Sequence, residues 1–275
     1  MHLPISVAAA ARLEILDEAR STNTELVGRA SGLDGEDWPD FSVLVTDNQT
    51  DGRGRLGRVW VAPPGRSLAI SVLLRPRLPA GEPLGLEHYG WLPLIAGIAM
   101  TKAVAGLLAD HTVTLKWPND VQVDGLKVAG LLAELLPSGE AVVMGAGLNL
   151  AFPAEELPTP TSTSLGLNGP RRGGIALAGE ALADAALSRY LVELRSLSSE
   201  FLRYGADPAA SGVSEQLSEL CSTLGQEVRV QLPGGDDLVG TAVDIDPTGR
   251  LLVRRSSDGA VVAVAAGDVT HLRYE

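Results

Sequence analysis

The residues best equipped for chemistry are Asp51-Gly52-Arg53-Gly54-Arg55-Leu56-Gly57-Arg58-Val59-Trp60. Three glycines within six residues let a backbone turn sharply and approach a ligand, and the arginines among them supply forked donors for carboxylate or phosphate. Such a loop is fit to wrap an anion. Gly52, Gly54 and Gly57 also satisfy G-x-G-x-x-G, which marks a dinucleotide site only where a strand runs straight into it and a helix opens from it. Neither condition is met. Asp47-Asn48-Gln49-Thr50-Asp51 intervenes before it, and Val59-Trp60-Val61 then Pro63-Pro64-Gly65 read as a short strand and a turn, so the Rossmann reading is rejected.

Ser21, Thr22, Asn23, Gln49, Lys116, Asn119, Asp120, Lys127 and Asn149 extend this inventory, nearly all of them at predicted strand ends or in loops beside glycine, where scaffolds place binding groups. H-E-x-x-H, C-x-x-C and G-x-x-x-x-G-K-[ST] are absent, which leaves a zinc site and a P-loop without support. His2, His88, His111 and His271 lack the spacing of a metal set. What remains is cationic stabilisation of a reaction on an anion.

The elements that must position these groups follow from the pattern. Residues 13–20 predict an edge element, and Ser21-Thr22-Asn23-Thr24-Glu25 a helix start, with Glu25 three residues after Thr22 as in a capping box. Residues 41–46 form a β-branched strand that delivers Gln49 and the Gly/Arg loop, and residues 67–74 a buried strand. No helix lies between these two, so they should pair antiparallel. Residues 91–108 are apolar almost all round, a helix packed inside the domain on the sheet. Residues 112–117 predict a strand ended by Pro118, with Asn119-Asp120 turning the chain. Asp124-Gly125 marks a hairpin between residues 121–123 and 128–136, with Lys127 just past the turn. Residues 141–150 are a strand whose glycines admit a ligand or another backbone. Together these predict an α+β domain with a mixed or antiparallel sheet. A Pro/Thr-rich loop at 153–168, helices at 175–204 and 213–223, and strands at 227–232, 238–244, 251–255 and 261–265 follow. Pro233-Gly234-Gly235, Pro247-Thr248-Gly249 and Ser257-Asp258-Gly259 separate those strands, as in a small β barrel or sandwich. Gly225 marks the boundary, giving domains at 1–223 and 224–275.

The chain's 275 residues leave room for this pair, and a formal net charge of -12 disfavours general nucleic-acid affinity. Its one cysteine, Cys221, excludes an intramolecular disulfide and suits a reducing, cytoplasmic setting. The first residues make a poor signal peptide, and the apolar stretch at 91–109 carries Pro93 and Lys102, so no membrane span is expected.

Ser21-Thr22-Asn23, Gln49 with the loop from Gly52 to Arg58, Lys116-Trp117-Pro118-Asn119-Asp120, Lys127-Val128-Ala129-Gly130 and Gly145-Ala146-Gly147-Leu148-Asn149 resemble, in order and spacing, the successive motifs of biotin protein ligases. The resemblance covers roughly residues 20–150, and the small C-terminal β domain is also what that family has. It implies a catalytic domain related in fold to class II aminoacyl-tRNA synthetases and lipoate ligases, followed by an SH3-like barrel. It further implies two steps: biotin and ATP, with Mg²⁺, give biotinyl-5′-AMP and pyrophosphate, and a lysine of the biotin carboxyl carrier domain of an acyl-CoA carboxylase then takes the biotin.

Carried over by position, Ser21, Thr22, Asn23 and Gln49 hold the biotin head group, with Gly52, Gly54 and Gly147 beside it, while Arg53 and Arg55 close over carboxylate and phosphate. Lys127 bridges the carboxylate and the α-phosphate. Arg58, Lys116, Asn119, Asp120 and Asn149 are assigned to the nucleotide, with Asp120 a candidate Mg²⁺ ligand. Trp60 is open between covering the ligand and simple core packing. Three glycines and three mutually repelling arginines predict a loop that is mobile until ligand orders it. Twenty residues before Ser21 are too few for the operator-binding domain of some family members, so no specific DNA partner is expected. The barrel is open between contacting the carrier and supporting the site. A lipoate or octanoyl ligase, and a non-catalytic protein binding RNA or an acidic partner through the loop, are the competing readings.

Overall fold

Alternation of side chains along the central strands decides the layering of the molecule, whose computed structural model describes residues 1–32, 35–232, 237–265 and 268–271. After α1 (Pro4–Ala9) come β1 (Arg12–Ile15), α2 (Thr22–Ser31) and β2 (Ser42–Thr46), then the pair β3 (Gln49–Arg53) and β4 (Val59–Ala62), and β5 (Ser67–Leu74). Next are α3 (Trp91–Ala105) and the meander β6 (Val113–Lys116), β7 (Asp120–Val123), β8 (Leu126–Leu135) and β9 (Val142–Asn149). Seven of these strands make one sheet in the order β1-β2-β5-β9-β8-β7-β6, parallel between β1 and β2 and antiparallel elsewhere. The sheet is therefore mixed, as the α+β reading expects.

Val43, Val45, Ile70, Val72, Met144 and Ala146 belong to the main core with α3, whereas Leu44, Leu73 and Val143 pack with Leu26 and Ala30 of α2. Period-two alternation thus buries both faces of β2, β5 and β9, one under each helix layer. α3 is apolar all round because it lies between the sheet and α4 (Gly179–Arg203). Gly97 lets α3 lie close on β6: a Cβ there would stand 2.7 Å from Leu115 Cδ1.

The helix predicted from residue 175 begins only at Gly179, because Ile175–Ala176 (β11) pairs with Arg171–Arg172 (β10) as a small hairpin. The following helix, α5 (Val213–Leu220), ends short of Thr223, whose Oγ1 instead accepts from the Trp117 main-chain N–H at 3.0 Å. The last part of the chain is a five-stranded antiparallel sheet of β12 (Glu227–Gln231), β13 (Asp237–Ile245), β14 (Leu251–Arg255), β15 (Val261–Val264) and β16 (Asp268–His271), in the order β15-β14-β13-β12-β16. The turn predicted at Pro233-Gly234-Gly235 and the side chain of His271 lie outside the described residues.

This sheet is joined to the larger one by a continuous core and by the turn after β13. Trp91 Nε1 donates to the Pro247 carbonyl at 2.8 Å, and a Cβ at Gly90 would strike the Thr248 carbonyl. Asp246 organises the turn by accepting from Thr248 N, Thr248 Oγ1 and Arg250 N at 2.9, 2.8 and 3.0 Å and from Arg250 Nε at 2.7 Å. Burial pushes its carboxyl up, but these hydrogen bonds outweigh burial and hold it below the usual range. A depressed folded pKa contributes stability above the ordinary carboxyl value and loses it as pH falls through the folded value. Asp246→Ala should therefore cost about 2 kcal/mol in urea unfolding at neutral pH, and progressively less towards acid.

Candidate functional site

Part of the sheet face that carries α2 is paved mostly with small residues. Ala69, Ser71, Gly145, Gly147, Gly130 and Leu132 share that face by register: Ala69 opposes Gly147 and Ser71 opposes Gly145 across β5 and β9, and Gly130 opposes Gly147 across β8 and β9. The room this leaves is taken from above. A Cβ at Gly145 would strike Asn23 Oδ1, one at Gly147 would strike the Trp60 ring, and one at Gly130 would lie 3.1 Å from Lys127 Nζ and 3.2 Å from Trp60 Cζ3. The result is a cavity of about 440 Å³ between this floor, the start of α2 and the β3–β4 hairpin. That volume is in the range of small-molecule sites.

All the candidate residues except Gly52 line it: Ser21, Thr22, Asn23, Gln49, Arg53, Gly54, Arg55, Arg58, Trp60, Lys116, Asn119, Asp120, Lys127, Gly147 and Asn149. Gly52 stands just behind, where a Cβ would come within 2.6 Å of Gln49 Nε2.

At the α2 end the helix is capped by Ser21, whose Oγ accepts from Thr24 N at 3.4 Å. Thr22 is therefore not the cap and the predicted capping box does not form. Thr22 instead donates both its main-chain N–H and its hydroxyl to Gln49 Oε1, at 2.9 and 3.2 Å. Ser71 Oγ lies 2.8 Å from Thr22 Oγ1 and 2.6 Å from Asn23 Oδ1, and Asn23 Nδ2 donates to the Leu132 carbonyl and Glu134 Oε1 at 3.2 and 3.0 Å.

Around the mouth the cations have partners. Arg53 Nη2 donates to Thr24 Oγ1 at 2.7 Å and to both Glu134 oxygens at 3.1 Å, and Arg55 Nη1 donates to Asn119 Oδ1 at 3.2 Å. Gly52 pairs with Trp60 and Arg53 with Val59 in the hairpin, so residues 51–53 are strand where the sequence predicts loop, while Arg55–Gly57 is a short 3-10 turn between the two strands. Lys127 Nζ is 2.7 Å from Asp120 Oδ1 and 5.6 Å from the Trp60 ring centroid, an ion pair beneath an aromatic face. Its main chain is held by a strap, with Lys127 N donating to the Thr161 carbonyl and Thr163 N donating to the Lys127 carbonyl, both at 2.8 Å.

Two buried polar atoms of the cavity wall, Asn149 Oδ1 and Trp60 Nε1, have no hydrogen-bond partner among the described residues. Such groups are costly unless something arriving in the cavity satisfies them. Sequence reasoning passes over Ser71, Glu134 and the hydroxyls of Thr159, Thr161 and Ser162, which also belong to the site. A serine in the middle of the apolar strand β5 and a glutamate in the apolar run of β8 after Gly130 were the available signals. Cys221 has its thiol pushed up by burial and stays protonated and unreactive. Among the described residues no cluster of three or more His, Cys, Asp or Glu is placed to hold a metal, and no helix is long and apolar enough to cross a membrane.

The comparisons with known proteins agree with this geometry. Residues 17–149 match the biotin/lipoate A/B protein ligase family, and residues 223–272 match the biotin protein ligase C-terminal domain. The biotin–[acetyl-CoA-carboxylase] ligase of Mycobacterium tuberculosis is 39% identical over 268 residues, which cover 95% of this chain and 90% of that protein. The biotin protein ligase of Aquifex aeolicus solved with biotin and ATP superposes with a TM-score of 0.67 at 25% identity, over 94% of this chain and 98% of that one. The Leishmania major enzyme solved with biotinyl-5-AMP gives 0.58 at 27% identity, over 93% and 99%. Similar along nearly its whole length to an enzyme of that kind, and folded as the solved members are, the chain belongs to the biotin protein ligase family.

Proposed function

We propose that the chain joins biotin to a lysine of the biotin carboxyl carrier domain of an acyl-CoA carboxylase, by way of biotinyl-5′-AMP. In the first step a carboxylate oxygen of biotin attacks the α-phosphorus of ATP and pyrophosphate leaves. In the second, a lysine nitrogen attacks the acyl carbon, AMP leaves and the nitrogen gives up a proton. Negative charge gathers on phosphoryl and acyl oxygens in both, and preorganised donors in a water-poor cavity stabilise it without reorganising. The observation that carries this reading is the convergence of Lys127, Arg53 and Arg55 on the same cavity as the hydrogen-bonding groups of Ser21, Thr22, Asn23 and Gln49.

The residues present fit these substrates. The small-residue floor takes the apolar part of biotin, and the α2 wall, with Gly54 of the hairpin on the same cavity and Gly52 just behind, takes the ring ureido group. Asn149 Oδ1 accepts from the base, Trp60 covers the ligand, and Arg58, Lys116 and Asn119 face the nucleotide. Asp120 is the carboxylate on the wall, already paired with Lys127. A magnesium ion, which neutralises phosphate charge when bound, therefore comes mainly on the nucleotide, with Asp120 as its candidate protein ligand. We place the domain boundary at 223/224, the reaction in the cytoplasm, and no operator-specific DNA or membrane among the partners; the net charge of -12 supports the point about DNA.

Incubation with α-labelled ATP, Mg²⁺ and biotin, lipoate or octanoate in turn should yield labelled adenylate with biotin alone, discharged as AMP when a carrier domain is added. Equal adenylate with lipoate would move the specificity to the lipoate ligases. Failure with every acid would favour the non-catalytic reading.

A further inference from the structure

We propose that Glu134 is a positioning residue for this reaction, fixing Arg53 of the hairpin against Asn23 of α2 so that the activated acyl group is retained in the cavity. The inference rests on the function proposed above. Glu134 lies on β8 at the edge of the glycine floor, opposite Val143 and two residues beyond Leu132, which opposes Gly145. Its side chain is only 26% exposed, and its carboxylate touches both walls of the cavity: Asn23 Nδ2 at 3.0 Å and Arg53 Nη2 at 3.1 Å.

An ionised carboxylate is an acceptor only, which has a consequence for each partner. Asn23 must turn its Nδ2 to Glu134 and its Oδ1 to the Ser71 hydroxyl, 2.6 Å away, so the amide is held in one of its two flips. Among the described residues Arg53 meets Glu134 and Thr24 through Nη2, which leaves its Nε and Nη1 for an incoming anion. Glu134 therefore anchors the guanidinium without competing for all of it. A half-exposed arginine tied to a less exposed carboxylate is also a charge-assisted contact that holds the hairpin over the floor.

Glu134→Gln tests this, because glutamine keeps the shape and still accepts from Asn23 while removing the charge that holds Arg53. The variant should show an unchanged circular dichroism melt, release biotinyl-adenylate about tenfold faster in the absence of carrier, and raise the KM for biotin with a smaller change in kcat. Without ligand, trypsin should cut it after Arg55 or Arg58 about tenfold faster than the parent. Release and cleavage within twofold of the parent would overturn the proposal, as would a lowered melt with both rates unchanged. If the parent itself forms no adenylate, the proposed function fails, and the tryptic rates alone still decide whether Glu134 anchors the hairpin.

Discussion

Lys127→Ala is expected to fold normally and to form biotinyl-adenylate about 10²–10³ times more slowly than the parent, the usual consequence of deleting one preorganised donor. Folding should survive because the strap holds the residue through its main chain, by the Thr161 carbonyl and the Thr163 N–H, and truncation leaves both bonds in place. Chemistry should not survive because the side chain brings its charge to the cavity wall, 2.7 Å from Asp120 and under Trp60. Removing it also leaves Asp120 unneutralised where phosphate must arrive, so the loss exceeds that of a favourable contact alone. Pyrophosphate release measured beside a thermal melt decides the matter. Near-parental release by a folded variant would take Lys127 out of the mechanism.

Gly147→Val is expected to leave the sheet intact and to weaken biotin binding by about 10- to 100-fold, in line with the roughly 1–3 kcal/mol cost of overfilling a packed site. Valine suits a strand, and Gly147 has no backbone conformation that demands glycine. A Cβ there nevertheless runs into the Trp60 ring, which must swing off the floor and take the β4 side of the cavity with it. Calorimetric titration with biotin gives the affinity, and Trp60→Ala in the Gly147→Val background should relieve the clash without recovering binding. Parental affinity in Gly147→Val would mean that the ring does not shape the ligand site.

Much of the scaffold was legible because its signals are local. Asp124-Gly125 makes the hairpin it predicts, Asp124 and Gly125 both having positive φ, and the all-round apolar run from Trp91 becomes the helix enclosed between sheet and α4. The β3–β4 pairing was not legible, because Gln49-Thr50-Asp51-Gly52-Arg53 has little strand propensity and is extended only by its partner across the turn. The cap at Ser21 was misread by one residue for a related reason: Gln49 and Ser71, distant in the chain, claim the hydroxyl of Thr22.

Sequence by itself determined the family, the order of the motifs and the chemical type of each site residue, since these depend on which side chains occur at which spacing. Only the tertiary structure decided which of those groups meet. Strand register put three glycines beneath Asn23, Trp60 and Lys127, and it brought Glu134 to Arg53 from 81 residues away. A pairing across such a separation is selected by the packing of the whole sheet, and no local stretch of chain carries enough free energy to specify it alone.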